Sequence, residues 1–234
     1  MVRVLIHVEG ETEEAFVNQV LAPHLYPCGF TAVSARLLGN ARQRARRGGI
    51  RPWPAARADI LRHLREDRAC LATTLVDYYA LPATGAGAWP ERARAGASPA
   101  ASADARAAVV EAALARDIAT EMGTNFDAAR FMPFIVMHEF EALLFSDPEG
   151  FARGLQQPEL ARRLAEIRAA FVNPEEIDDG PRTAPSKRVE DLLPGYQKPF
   201  HGVSAARAIG LPAIRAACPH LSTWLTRLEA WPSR

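Results

Sequence analysis

From Ala69 to Val76 the chain runs Ala-Cys-Leu-Ala-Thr-Thr-Leu-Val, apolar and β-branched without a break, and then stops at an acid, Asp77. A strand with no polar alternation has no face left for water, so it belongs in a parallel sheet covered by helices on both sides. Arg3 to Val8 reads the same way through Val4, Leu5, Ile6 and Val8, while Phe30 to Leu38 and Phe131 to Met137 supply two further extended segments. Between them, helical spacing of apolar residues predicts helices from Thr12 to Pro23, Ala55 to Glu66 and Ala105 to Met122. Residues 40–54 read as an irregular loop, and 81–103, rich in Pro, Gly, Ala and Ser, as a long mobile loop or lid. Beyond Pro148 the pattern holds only short helices: Pro158 to Phe171, Ser186 to Leu193, Val203 to Ile209, Leu211 to Ala217 and His220 to Leu228. The expected architecture is therefore α/β: a sheet of four parallel strands with crossover helices over residues 1–147, followed by a helical C-terminal layer, 148–234, packed on it.

Hydrophobic residues make up 48% of the 234, ample for a core. No stretch approaches the roughly 20 apolar residues of a membrane span, and Met1 to Val8 is too short for a signal sequence. The sequence thus predicts a cytoplasmic protein with no membrane contact. Cys28, Cys70 and Cys218 stand far apart, without zinc-like or disulfide-like spacing, and read as ordinary buried thiols. A formal charge of +1 excludes a uniformly basic protein, so binding of nucleic acid has to rest on a local patch. In a chain whose cations are nearly all arginine, Lys187 and Lys198 are the two lysines, and a compact ammonium is a different tool from a guanidinium fork.

Acids stand where the expected strands stop. Glu9 follows the first, Asp77 the third, and Glu139 and Glu141 the fourth. In open parallel sheets that edge is where ligands bind, because loops and helix N-termini face solvent there. Glu13, four residues after Glu9, shares its side of the helix. Carboxylates gathered this closely repel one another unless a cation sits among them, and Mg²⁺ or Mn²⁺, which take oxygen ligands and keep open positions for water, suit phosphodiester chemistry. The plainer alternative is that Glu11, Glu13 and Glu14 merely favour a helix dipole and that Glu9 and Asp77 order their turns.

Other groups have paired readings too. Arg42, Arg44, Arg46, Arg47 and Arg51 beside Trp53 form either a nucleic-acid grip with a stacking ring or a solvated loop in an arginine-rich chain. Lys187 and Arg188, after Pro185, either meet an anion at a helix start, Lys187 steadying a scissile phosphate, or decorate a surface helix. Lys198, in Gln197-Lys198-Pro199, and His201 rank below them. His138 is either a ligand or proton carrier or a hydrogen-bonded structural residue; His7 reads as core. Trp224, Leu225, Leu228 and Trp231 form the docking stripe of a last helix.

Val8-Glu9-Gly10-Glu11-Thr12-Glu13 with Phe16-Val17 resembles the first motif of Toprim domains, especially those of nucleases related to overcoming-lysogenization-defect proteins. Leu75-Val76-Asp77-Tyr78-Tyr79-Ala80-Leu81-Pro82, His138-Glu139-Phe140-Glu141-Ala142-Leu143-Leu144-Phe145-Ser146-Asp147 and Thr183-Ala184-Pro185-Ser186-Lys187-Arg188 are similar to the family designated domain of unknown function 4276, nearly end to end. The resemblance implies a Toprim-like Rossmannoid sheet in which Glu9 stands for the invariant glutamate, Glu13 for the second metal-binding glutamate and Asp77 for the first acid of an Asp-x-Asp pair. Tyr79 takes the place of the second aspartate, which points to one metal rather than two, with Glu139 or Glu141 as the substitute ligand. It also implies a setting in bacterial defence beside an ATPase of the ABC or SMC-like kind; this chain has no Gly-rich loop with Lys-Ser/Thr of its own. The expectation is a Mg²⁺- or Mn²⁺-dependent nuclease in which Glu9, Glu13, Asp77 and Glu141 hold the ion. The alternative is a catalytically degenerate module that binds the ATPase or nucleic acid.

Overall fold

A computed structural model describes residues 1–38, 50–97, 101–177, 180 and 182–233 of the chain. The sheet is parallel, with β1 (Arg3–Val8), β2 (Ala32–Leu37), β3 (Cys70–Asp77), β4 (Phe131–Met132) and β5 (Ile135–Val136). Its order is β2-β1-β3-β4, with β5 also on β3. Every residue of β3 is buried, as the unbroken apolar run requires.

The segment expected as one fourth strand is split. Pro133 has no N–H to give the ladder, so pairing stops at Met132 and resumes with Ile135 opposite Val76. Thr74 fills the gap: its hydroxyl receives the Phe134 N–H at 2.9 Å and donates to the Phe134 carbonyl at 2.8 Å.

Chain direction sets which edge of the sheet carries the acids. From β1 the chain crosses through α1 (Glu11–Phe16), a π turn (Val17–Leu21) and α2 (Ala22–Leu25) to β2 on one side. It then returns over α3 (Trp53–Glu66) to β3 on the other side of β1. The order reverses between β1 and β3, so a crevice opens beyond their carboxyl ends, where Glu9 and Asp77 stand. The first helix was expected to end at Pro23 but runs on to Leu25. After the π turn Pro23 falls in the first turn of a new α register, where its missing N–H costs nothing.

Two cores sandwich the sheet. Leu5, Cys70, Ala72 and Val76 face α3 and α5 (Ala103–Met122), while Val4, Ile6, Val8, Leu71 and Leu75 face α1, α2 and the C-terminal helices. The C-terminal half thus covers the sheet itself. Its helices include α7 (Pro148–Gly154), α10 (Val203–Ile209), α11 (Leu211–Ala217) and α12 (Pro219–Glu229). Trp224, expected to dock the last helix, stacks on Phe134 at 4.4 Å and donates its indole N–H to Thr73 Oγ1 at 3.0 Å. Gly154 lets α7 meet α10, since a Cβ there would lie 2.3 Å from Ala205 Cα. No described helix is long and apolar enough to cross a membrane.

The described part of the segment expected as a long mobile loop or lid, 81–97 and 101–103, carries local structure. It contains α4 (Arg92–Gly96) and is pinned by Trp89, which is buried against Trp53 at 4.9 Å and donates to the Arg51 carbonyl. One carboxylate ties the last helix down. Glu175 accepts the His220 N–H at 2.9 Å and the Leu221 N–H at 3.0 Å, both at the start of α12. Glu175→Ala leaves these amides unpaired, and urea denaturation is expected to show a loss of about 1–2 kcal/mol, as for a lost helix cap.

Candidate functional site

The strand-end acids meet. Asp77 is the last residue of β3 and is buried, with Oδ1 shielded from water and without a hydrogen-bond partner among the described residues. Glu9 leaves β1 alongside it, and Glu9 Oε2 is likewise buried and unpartnered. Glu13, in the first turn of α1, turns back so that its Oε2 accepts the Gly10 N–H at 2.9 Å. It therefore has a structural task as well as a place in the cluster.

Glu9 feels the charge of Glu13, and Asp77 that of both. Burial first, and then the charge of Glu13, push Glu9 up to about 7, against Lys198 and a backbone hydrogen bond at Asp77. Asp77 is driven well above the carboxylate range by burial, then by Glu13 and Glu9. Glu13 is raised by burial, opposed by backbone hydrogen bonds and by Lys198. The repulsion follows from the closeness of Glu9, Glu13 and Asp77.

From across the crevice, α6 (Phe140–Leu144) brings two more acids. Glu139, at its N-cap, accepts the Ser186 N–H at 2.8 Å and so ties α6 to the start of α9 (Pro185–Leu192). Glu141 is wholly buried. Its Oε1 accepts from Tyr196 Oη at 3.3 Å, and the Lys198 ammonium stands 2.9 Å from Oε2, an ion pair out of line for a hydrogen bond. Lys198 also lies 3.8 Å from Glu139 Oε1. Burial alone would lower the Lys198 pKa, but Glu141, Asp77 and Glu139 outweigh it and raise it. The cation within the acids is thus Lys198.

A second π turn, Lys198–Gly202, delivers this ammonium. His201 Nδ1 accepts the Gln197 N–H at 2.8 Å and its ring stacks on Tyr196 at 5.6 Å. Gly202 is packed so closely that a Cβ would lie 3.3 Å from Tyr196 Oη and 3.4 Å from Thr12 Cγ2. Glycine there lets the turn settle onto α1.

Other expected residues fall elsewhere. Lys187 is exposed and paired with Glu190 on its own helix at 2.6 Å. Arg188 donates to the Thr183 carbonyl at 2.7 Å and lies over Phe171, holding the approach to α9. Arg42, Arg44, Arg46 and Arg47 lie outside the described residues. Trp53, expected to offer its ring to a base, is buried and bonds Asp117 through its indole N–H at 2.7 Å; it is a core residue. Tyr79 is half exposed, whereas Tyr78 is buried under the Arg92 guanidinium at 3.7 Å. His138 is buried, holds a left-handed backbone with φ 62° and lies 3.4 Å from Arg106. His7 is core, as expected, and burial holds it down to about 4. All three cysteines are free; Cys70 and Cys218 are buried and Cys28 half-buried.

The family model for a domain of unknown function, DUF4276, matches residues 8–229. The chain belongs to this family. No curated protein and no solved structure matches it. The DUF4276 match runs from the end of β1 to the last residue of α12, so it takes in Glu9, Glu13, Asp77, Glu139, Glu141 and Lys198 together.

Whether a divalent ion fits the DUF4276 site can be asked of its donors. For it stand an oxygen-only ligand set, as hard cations prefer, and two buried carboxylate oxygens without partners. Against it, among the described residues no group of three or more His, Cys, Asp or Glu side chains is placed to hold a metal ion, and the Lys198 ammonium is paired with Glu141 and near Glu139. The donors are of the type a hard cation takes, but their present arrangement, with an ammonium in their midst, is not that of a ligand set.

Proposed function

We propose that this DUF4276 chain is a Toprim-like, Mg²⁺- or Mn²⁺-dependent phosphodiesterase acting on DNA or RNA. The observation that carries the proposal is the gathering of Glu9, Glu13 and Asp77 at the β1/β3 reversal, with Glu9 Oε2 and Asp77 Oδ1 buried and without a hydrogen-bond partner among the described residues. Leaving such oxygens unsatisfied is costly, and a bound cation is what would repay it.

Glu9 and Asp77 would hold the ion, with Glu13 offering the oxygen that Gly10 does not use. Glu141 completes the set from the far wall, and Glu139, fixed by the Ser186 N–H, keeps α6 in register. Bound there, the ion supplies an activated water and charge stabilisation for a phosphate. Lys198 stands among these acids, whereas Lys187 is paired with Glu190 on the exposed face of its own helix. The residue resemblance to nucleases of bacterial defence suggests an ATPase of the ABC or SMC-like kind as partner.

A second reading has its own support. Tyr79 in place of an acid, and an ammonium already among the carboxylates, suit a degenerate module that recognises nucleic acid or an ATPase without cleaving. Incubating the purified chain with end-labelled single-stranded and duplex DNA and RNA, in Mn²⁺, in Mg²⁺ and in EDTA, separates the two. Cleavage that needs the ion is expected; retention of intact strands in every condition favours the module.

A further inference from the structure

Lys198 is the side chain whose position the proposed chemistry leaves unexplained. A phosphate-binding lysine needs its ammonium at the open face of the site, yet this one is paired with Glu141, a wholly buried residue, at 2.9 Å and reaches toward Glu139 at 3.8 Å. Its side chain is 39% exposed, so a route back to solvent exists. We infer that Lys198 is an internal counter-ion: its ammonium holds the place among Glu9, Asp77, Glu139 and Glu141 that a divalent cation takes, and the cation enters only as Lys198 leaves. This rests on the site being a cation site, as proposed above.

Two facts of geometry support the exchange. Two cations cannot use the same carboxylate oxygens at contact distance without strong repulsion, and Glu141 Oε2 has Lys198 as its near neighbour. The lysine is also carried on a short π turn closed by the His201 Nδ1 contact to the Gln197 N–H. π turns are local irregularities often found at functional sites, and this one lies outside the sheet. With Lys198 in place the acids are partly neutralised and the fold tolerates an ion-free site. With the ion in place the ammonium is released toward the crevice mouth, where a phosphate would arrive. Ion binding is then weaker than the acids alone would give, and is coupled to the turn at 198–202.

The chain has two lysines, and the second provides an internal standard. Amine acylation of the full chain, read by mass spectrometry with and without Mn²⁺, is expected to show Lys198 labelling rising several-fold relative to Lys187. In calorimetry, Lys198→Met is expected to bind Mn²⁺ at least about tenfold tighter than wild type, because a competing charge has been removed, and Lys198→Arg to stay near wild type. Binding in Lys198→Met with none in wild type also supports the exchange. Equal Mn²⁺ affinity in wild type and Lys198→Met, with an unchanged Lys198 to Lys187 ratio, overturns the inference and leaves the cation site standing. Absence of Mn²⁺ heat in every protein overturns both. Should Lys198→Met not fold, the wild-type labelling ratio decides alone.

Discussion

Glu9→Gln and Asp77→Asn are each expected to lower metal-dependent cleavage by roughly 10²- to 10³-fold or more, the scale on which catalytic charge stabilisation is lost when one group is removed. Both changes keep shape and remove charge. Neither should harm the fold, because each deletes a carboxylate that its neighbours repel. Circular dichroism and urea denaturation should therefore match or exceed wild type while activity disappears. Glu13→Gln is expected to do less damage, since a glutamine oxygen can still accept the Gly10 N–H and Glu13 gives the ion one oxygen at most. A Glu9 or Asp77 variant that keeps full, metal-stimulated activity removes these residues from the chemistry.

The same charges make stability fall as pH rises. A carboxyl whose folded pKa lies above its unfolded one binds more protons in the native state across the interval between them. Its contribution is fully present below the ordinary carboxylate range and is lost as pH climbs through the folded value. For Glu9 that interval runs from 4.5 to about 7, worth on the order of 3 kcal/mol if the shift acted alone. His7 works against it. Its pKa is held down to about 4 by burial, so the histidine adds stability as pH rises from there toward 6.5. The clean measurement is a difference: without metal, stability of wild type minus that of Glu9→Gln should fall steadily between pH 5 and 8. Saturating Mn²⁺ should flatten that slope, since the ion supplies the missing positive charge, and should raise the wild-type melting temperature at pH 8 by mass action. A flat difference without metal would mean that Glu9 is not crowded by Glu13 and Asp77 in solution.

Sequence patterning reached the sheet and the acids for one physical reason. Burial on both faces leaves no freedom of composition, so the runs that became β1 and β3 were legible, with Glu9 and Asp77 at their ends. Tertiary detail was less so. Pro133 stood in plain view, but its effect on pairing depended on Thr74 being opposite to fill the gap. The Pro, Gly and Ala content of 81–103 gave no sign that Trp89 would be buried against Trp53; the same contact makes Trp53 a core residue rather than an exposed stacking ring.

The two lysines show the limit most clearly. Lys187 follows Pro185 at a helix start, a local signal, whereas Lys198 sits in Gln197-Lys198-Pro199, which offers none. What brings Lys198 to Glu141 is a π turn seated on Gly202 and closed by His201, all of them long-range or irregular features. The scarcity of lysine in an arginine-rich chain was the one trace that composition left. Tyr196, which holds Glu141 from the other side, left no trace at all.

The most direct test of a shared cation is a crystal grown or soaked with Mn²⁺ and measured at the manganese absorption edge. The account predicts one anomalous peak within about 2.0–2.6 Å of oxygens from both Glu9 and Asp77, the range spanned by hard divalent ions, with Lys198 Nζ drawn away from Glu141. An ordered site with no peak between Glu9 and Asp77, and Lys198 still on Glu141, would contradict it.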